Sequence, residues 1–318
     1  MRPLRFFGVA ADGPVDARQL VATARTAESA GFAGLVLPDH LLEQHAPIPV
    51  LATIAAVTER LRIAPFVLNA GLRHPAVVAQ DLATLDVLSG GRLDVAIGAG
   101  WNKAEHDAVG LPFLPARDRV AFLADAVAVI KGCFGPEPFS HAGPYFRIEG
   151  HDGYPKPVQR PHPPLFIGAG ARRMLEFAGR EADIVGLAPR VITAADGSLA
   201  AEPASITIAG AAEKIAWVRE AAGERFESLE INVYPTGTPP MVTDSARKTA
   251  ADVLDGIRAR TGTDVTVDEF LESPHVFIGS VDGLVAKLQE QRERLGISSI
   301  MVGDLDTLAP VVERLAGT

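Results

Sequence analysis

Short apolar runs alternate with helix-period patterns four times within the first 134 residues, and the links between them are short. Runs at 4–10, 34–38, 61–68 and 92–97 read as strands. Segments 16–31, 49–60, 76–88 and 117–134 carry apolar residues three and four apart, as Leu20, Val21, Ala24 and Ala27 do, and read as helices. Gly31 and Ser89-Gly90-Gly91 supply helix stops, and Pro75 suits a first helical turn. Strands joined by helices run parallel, because a hairpin cannot return the chain in the same direction. Right-handed crossovers would wind such units into a barrel or an open sheet.

The second half continues the alternation less regularly. Strands are expected at 165–167, 183–187, 229–233 and 299–302, and helices at 171–181, 211–222, 281–295 and 306–315. The count of eight predicts an α/β fold of the (β/α)8 TIM-barrel type rather than a doubly wound sheet. Such a barrel takes roughly 250 residues, so a single domain over 1–318 has room for insertions. One is expected at about 135–163, with a small hairpin over 139–149 and an extended crossover over 154–164. The other is a polar, Pro/Thr/Asp-rich stretch at about 235–274 with some helix, expected to shape a substrate wall.

The chain carries 39 acidic and 30 basic residues, a net charge of −9, which is not the basic excess of a nucleic-acid binder. No apolar run approaches the ~18 residues that span a membrane, and no leader pattern opens the sequence. The single Cys133 has no partner for an internal disulfide, falls in an apolar helical pattern and is expected in the core. A cytoplasmic location is expected.

In a barrel of this kind the C-terminal ends of the strands carry the chemistry. Pro38-Asp39-His40 follows the second strand, and imidazole is the side chain whose ordinary titration lies nearest neutrality, so His40 suits proton transfer. Asp39 would orient the imidazole or contact a cofactor. Asn69 follows the third strand, where an amide can read the edge of a planar ring or serve a turn. Gly98-Ala99-Gly100-Trp101 follows the fourth, placing bare backbone and an aromatic face where a ring system can pack. Glu105 and His106 lie just beyond and are expected on a solvated surface. Arg73-His74-Pro75 reads equally as a solvated helix start or a cofactor contact. Gly168-Ala169-Gly170-Ala171-Arg172-Arg173 joins a strand to a helix, whose free amides and arginines suit an anion. The spacing of Asp39, His40 and His45 does not match a metal site, and no metal is expected.

Several stretches together resemble the luciferase-like barrel superfamily. They are Ala30-Gly31-Phe32, Pro38-Asp39-His40, 73–80, 85–92, 97–101, Phe166-Ile167-Gly168-Ala169-Gly170 and Phe277-Ile278-Gly279-Ser280. The pattern is most similar to the branch that uses the deazaflavin coenzyme F420; flavin-dependent relatives share several of the stretches. The resemblance implies a homodimer that moves hydride between F420 and a small organic substrate. His40 matches the catalytic histidine of that branch and Asp39 a neighbouring cofactor-site residue. Phe66, Val67 and Leu68 match the place of a non-prolyl cis peptide behind the ring. Gly98, Ala99 and Gly100 match a ring- and ribityl-contacting loop, with Trp101 beside it. Gly168 and Gly170, with Ala169, Ala171 and Arg172 around them, match a phosphate-contacting turn. Sugar-phosphate dehydrogenases of the branch carry a catalytic Glu where this chain has Trp101, which argues against glucose 6-phosphate and for a polarised C=C, C=N or carbonyl substrate. The alternatives are an FMN-dependent monooxygenase fed by an external flavin reductase, and a non-catalytic flavin-binding barrel.

Overall fold

The computed structural model describes residues 2–11, 13–194 and 197–318. In chain order it runs β1 (Arg5–Val9), α1 (Ala17–Ser29), β2 (Gly34–Leu37), α2 (Pro47–Val57), β3 (Arg62–Pro65), β4 (Leu68–Asn69), α3 (Pro75–Leu88), β5 (Val95–Gly98), α4 (Lys103–Ala108) and α5 (Ala116–Phe134). It continues with β6 (Phe139–Ala142), β7 (Arg147–His151), β8 (Leu165–Ala169), α6 (Arg172–Glu181), β9 (Ile184–Leu187), β10 (Val191–Thr193), β11 (Leu199–Ala201), α7 (Ile208–Ala222) and β12 (Glu230–Val233). It closes with β13 (Met241–Val242), α8 (Ala246–Thr261), α9 (Val267–Glu272), β14 (Ile278–Gly279), α10 (Val281–Leu295), β15 (Ile297–Gly303) and α11 (Ala309–Leu315). The described residues fall into two compact units. One comprises 34–167 with the stretch 10–28; the other comprises 168–318 with the stretches up to 9 and over 29–33.

In the first unit all the strand pairs of the main sheet are parallel. β2 lies on β3 with Leu35 opposite Ile63, Ile63 bridges to Leu93, β4 lies on β5 with Asn69 opposite Gly98, and β5 lies on β8 with Val95 opposite Leu165. Every residue of β2 and of β5 is buried. Strands covered on both faces need such unbroken apolar runs, since neither face meets water. The expected third strand over 61–68 is two pieces, β3 and β4, separated at Phe66–Val67, whose peptide bond is cis. The Ser89-Gly90-Gly91-Arg92 motif is structural: Arg92 donates to the carbonyls of Ser89, Leu61 and Ala55 and ties α3 to the end of α2.

Two buried carboxylates hold the first insertion. Asp86 on α3 accepts from the amides of Val158 and Gln159 and pins the proline-rich crossover. Asp125 on α5 accepts from the amides of Tyr145 and Phe146 and seats the turn of the β6–β7 hairpin. A buried donor or acceptor must be matched to offset its lost hydration, and here each carboxylate matches backbone that no ladder satisfies. Cys133 is buried as expected, and burial pushes its thiol up, away from a reactive thiolate.

The second unit orders its strands β9, β12, β15 and β1, again all parallel. Helix α7 begins at Ile208, ahead of the expected 211, because the Thr207 hydroxyl caps it by accepting from the Gly210 amide. The β10–β11 pair was not anticipated. The stretch expected to be mostly polar insertion folds α8 and α9 on a small core of its own: Ile206, Ala250, Leu254, Val265, Phe270, Val276 and Ile278. Its 16-residue helix α8 ends at Gly262, which takes a left-handed conformation that disfavours any side chain. No helix among the described residues is long and apolar enough to cross a membrane.

Lys287 on α10 is half-buried, with its ammonium drawn inward to donate to the carbonyls of Leu271 and Val276 at the end of this insertion. Burial pushes its pKa down from 10.5 to about 7, with Glu272 partly opposing. The unfolded chain therefore binds the proton more readily between about pH 7 and 10.5. Stability from this residue rises with pH across that window and is lowest below it. Urea midpoints of Lys287→Met measured across the window are expected to lack the rise that the parent protein shows. Parallel curves for the two proteins would refute the assignment.

Candidate active site

The first unit gathers the expected residues at the C-terminal ends of β2, β4 and β5. β2 ends at Leu37, so Pro38, Asp39 and His40 leave the sheet together. The His40 ring Nδ1 lies 2.7 Å from Glu105 Oε1. The Glu105 carboxylate is 2 % exposed and the His40 side chain 25 %. The Leu41 amide donates to the other oxygen at 3.0 Å, and the Asn102 side-chain amide donates to Oε1. Burial pushes the Glu105 carboxyl up, but the bonds from Leu41, His40 and Asn102 outweigh it and leave it below the usual carboxylate range. Glu105 is thus an anion at neutral pH.

Asp39 does not orient the imidazole. Its carboxylate is clasped by Arg73, at 2.6 Å and 2.9 Å, and accepts from the Asn69 amide at 3.0 Å. The two-pronged geometry is the strong form of a guanidinium–carboxylate pair. It joins the loop after β2 to the end of β4, so Arg73 is more than a solvated helix start.

Asn69 is spent internally as well. Its Oδ1 accepts from the Gly71 amide at 2.9 Å, and its Nδ2 lies 3.0 Å from His106 Nε2. His106 Nδ1 faces the Pro112 carbonyl at 2.9 Å. A carbonyl only accepts, so Nδ1 carries the proton and Nε2 takes the Asn69 hydrogen bond. The paired donor and acceptor that would read a ring edge are engaged within the protein.

Glu105 and His106 are both buried, which overturns the solvated surface expected for them. They sit on α4, a helix of 6 residues capped by the Asn102 side chain, which accepts from the Ala104 amide. Asn102-x-x-Glu105 after a glycine-rich turn was the available signal: it is a helix start whose acidic third residue can turn back toward the preceding segment. Successive residues of a short helix point different ways, and here both ways lead inward.

The glycines are required by close contacts. A Cβ at Gly98 would stand 2.7 Å from Val67 Cγ2. At Gly100, where φ is +73°, a Cβ would stand 2.6 Å from Asn69 Oδ1. Arg119 on α5 donates to the Gly100 carbonyl and braces the turn. Phe66, Val67, Ala99 and Gly100 remain half-buried. Trp101 is 66 % exposed, with its ring edge-on to His40 at 5.6 Å between centroids.

Within the second unit, Gly168 and Ala169 end β8, and Gly170 and Ala171 lead into α6. A Cβ at Gly170 would stand 2.1 Å from the Pro189 carbonyl oxygen, so the turn packs backbone on backbone. Ala171 offers no side-chain cap to the first amides of α6. Arg172 is paired with Glu176 at 2.8 Å and Glu220 at 3.5 Å. No cluster of potential metal ligands is found among the described residues.

The sequence profile of the luciferase-like monooxygenase family matches residues 4–299. The chain belongs to that family. It is 34 % identical over 140 residues to the FMNH2-dependent dimethylsulfone monooxygenase of Pseudomonas putida, covering 44 % of this chain and 38 % of that one. It is 34 % identical over 174 residues to the F420-dependent glucose-6-phosphate dehydrogenase of Beutenbergia cavernae, covering 52 % of this chain and 51 % of that one. The chain thus spans about half or less of the length of these two relatives. Among solved structures, the coenzyme F420-dependent tetrahydromethanopterin reductase of Methanopyrus kandleri superposes with a TM-score of 0.75 at 20 % identity, covering 99 % of this chain and 98 % of that one. At that identity the likeness shows the fold, the luciferase-like (β/α)8 barrel expected from the sequence. The two sequence relatives are oxidoreductases named for reduced flavin and for F420.

Proposed function

We propose that this protein is an F420-dependent oxidoreductase that moves hydride between the deazaflavin and a small organic substrate carrying a polarised C=C, C=N or C=O bond. The observation that carries the reading is His40, a part-exposed imidazole at a strand end whose inner nitrogen is held by a buried anion. Reducing a polarised bond consumes one hydride and one proton. F420 supplies or accepts the hydride when bound. His40 supplies or removes the proton through its outer nitrogen, Nε2.

The residues suit a flat ring system. The half-buried strip of Phe66, Val67, Ala99 and Gly100 is apolar, and Ala99 and Gly100 leave its backbone bare enough for a planar face to lie close. We assign ring contacts to these four, to Gly98 and Trp101, and to the Asn69 region. Asp39, with Arg73, holds the strip in register rather than touching the proton. In the second unit we assign phosphate binding to 168–172, on the free amides of the α6 N-terminus. A homodimer and a single domain over 1–318 belong to the same reading.

A second reading, an FMN-dependent monooxygenase supplied by an external reductase, is favoured by the dimethylsulfone monooxygenase relative. Side-by-side titration of the apoprotein with F420 and with FMN separates the two. Micromolar binding of the deazaflavin without FMN binding is expected. The reverse preference would move the protein to the monooxygenase reading.

A further inference from the structure

We infer that Glu105 is a positioning residue that fixes the proton of the neutral His40 ring on Nδ1 and so leaves Nε2 as the atom that gives and takes the reacting proton. The inference rests on His40 being the acid–base group proposed above.

The geometry dictates the direction. An ionised carboxylate has no hydrogen to donate, so the 2.7 Å contact requires the hydrogen to sit on Nδ1. A neutral imidazole carries one hydrogen, and Nε2 is then bare. A free imidazole in water prefers the opposite arrangement only weakly, so one charge-assisted hydrogen bond is enough to reverse it.

The carboxylate cannot turn away from this task. The Leu41 amide holds Oε2 at 3.0 Å and the Asn102 side chain holds Oε1, so both oxygens are fixed before any ligand arrives. Burial of the side chain at 2 % exposure also keeps competing water from the contact. Among the described residues, Glu105 is the carboxylate paired with the ring. Asp39, next in the chain, is clasped by Arg73 and the Asn69 amide. Asp107 on α4 is exposed and paired with Lys103. Arg119 is engaged with the carbonyls of Gly100 and Leu114. Trp101 meets the ring edge-on and presents an apolar surface there. The arrangement is a carboxylate–imidazole pair assembled from β2 and α4, with its free nitrogen directed away from the anion.

The test needs no substrate. Apoprotein labelled with nitrogen-15 in histidine, with His40 assigned by its loss in His40→Asn, reports by nitrogen shifts which ring nitrogen carries the hydrogen. In the parent protein, above the ring's titration, the hydrogen is expected on Nδ1. In Glu105→Gln the side chain keeps its shape but loses its charge, and the Nε2–H form is expected to appear, while Glu105→Asp restores Nδ1–H in part. Once a substrate is in hand, Glu105→Gln should lower kcat about 10–100-fold with KM little changed, the scale seen when an orienting partner is lost. A parent ring carrying its hydrogen on Nε2, or a Glu105→Gln ring unchanged from the parent, would overturn the inference. Loss of the acid–base reading itself would show separately, as unchanged turnover in His40→Asn.

Discussion

Replacing His40 by Asn is expected to lower turnover by about 10²–10⁴-fold, the range that a positioned acid–base group contributes. Asn is the informative choice because its amide still donates toward Glu105, so the buried carboxylate keeps a partner and the fold is not put at risk. F420 affinity should stay within about threefold, since the ring is assigned to backbone and apolar surface rather than to the imidazole. The assay is single-turnover reduction of a substrate found by a hydride-transfer screen, read from the deazaflavin absorbance. Full turnover by a His40→Asn protein that still binds F420 would remove His40 from the chemistry and leave the cofactor reading standing. Loss of binding instead would make the imidazole a cofactor contact.

Arg73→Ala carries the largest expected effect on stability. Asp39 is 3 % exposed, and its two oxygens take the Arg73 guanidinium at 2.6 Å and 2.9 Å. Without Arg73, only the Asn69 amide remains of those donors. Removing one member of a buried pair costs about 3–5 kcal/mol, because the other charge is left without compensation. The Arg73 side chain is 29 % exposed, so water can partly replace it, and the loss should fall at the low end, about 3 kcal/mol. For 318 residues, at roughly 2.1 cal/mol/K of unfolding entropy each, that corresponds to about 1.5 °C in Tm for each kcal/mol. The double variant Arg73→Ala with Asp39→Asn should recover much of the loss, since the stranded charge is gone. A single variant that melts with the parent protein would show that the pair contributes orientation and not stability.

The site was legible in the sequence to different depths. His40 and the glycine-rich turn were legible because strand ends are readable from apolar runs, and a strand end is where this fold places its chemistry. Trp101 was placed at the same strand end for the same reason, and the structure leaves it exposed beside His40. The partners of these residues were not. Glu105 and His106 look like a polar pair on a short helix, and their spacing alone does not say which face is covered. Arg73 looks like a solvated helix start until Asp39 is brought against it. Asn69 looks free to read a ligand until His106 and Gly71 use its amide.

What the sequence determined by itself is the succession of strands and helices, the family and the position of the imidazole. These follow from period, capping and short motifs, all of which act between residues a few places apart. What only the tertiary structure decided is who holds whom. His40 meets Glu105 across 65 residues, Arg73 meets Asp39 across 34 and Asn69 meets His106 across 37. A charged side chain at the end of a strand has several possible partners of equal local merit. The choice among them is made when packing buries one and leaves the others in water, because only the buried one must be matched.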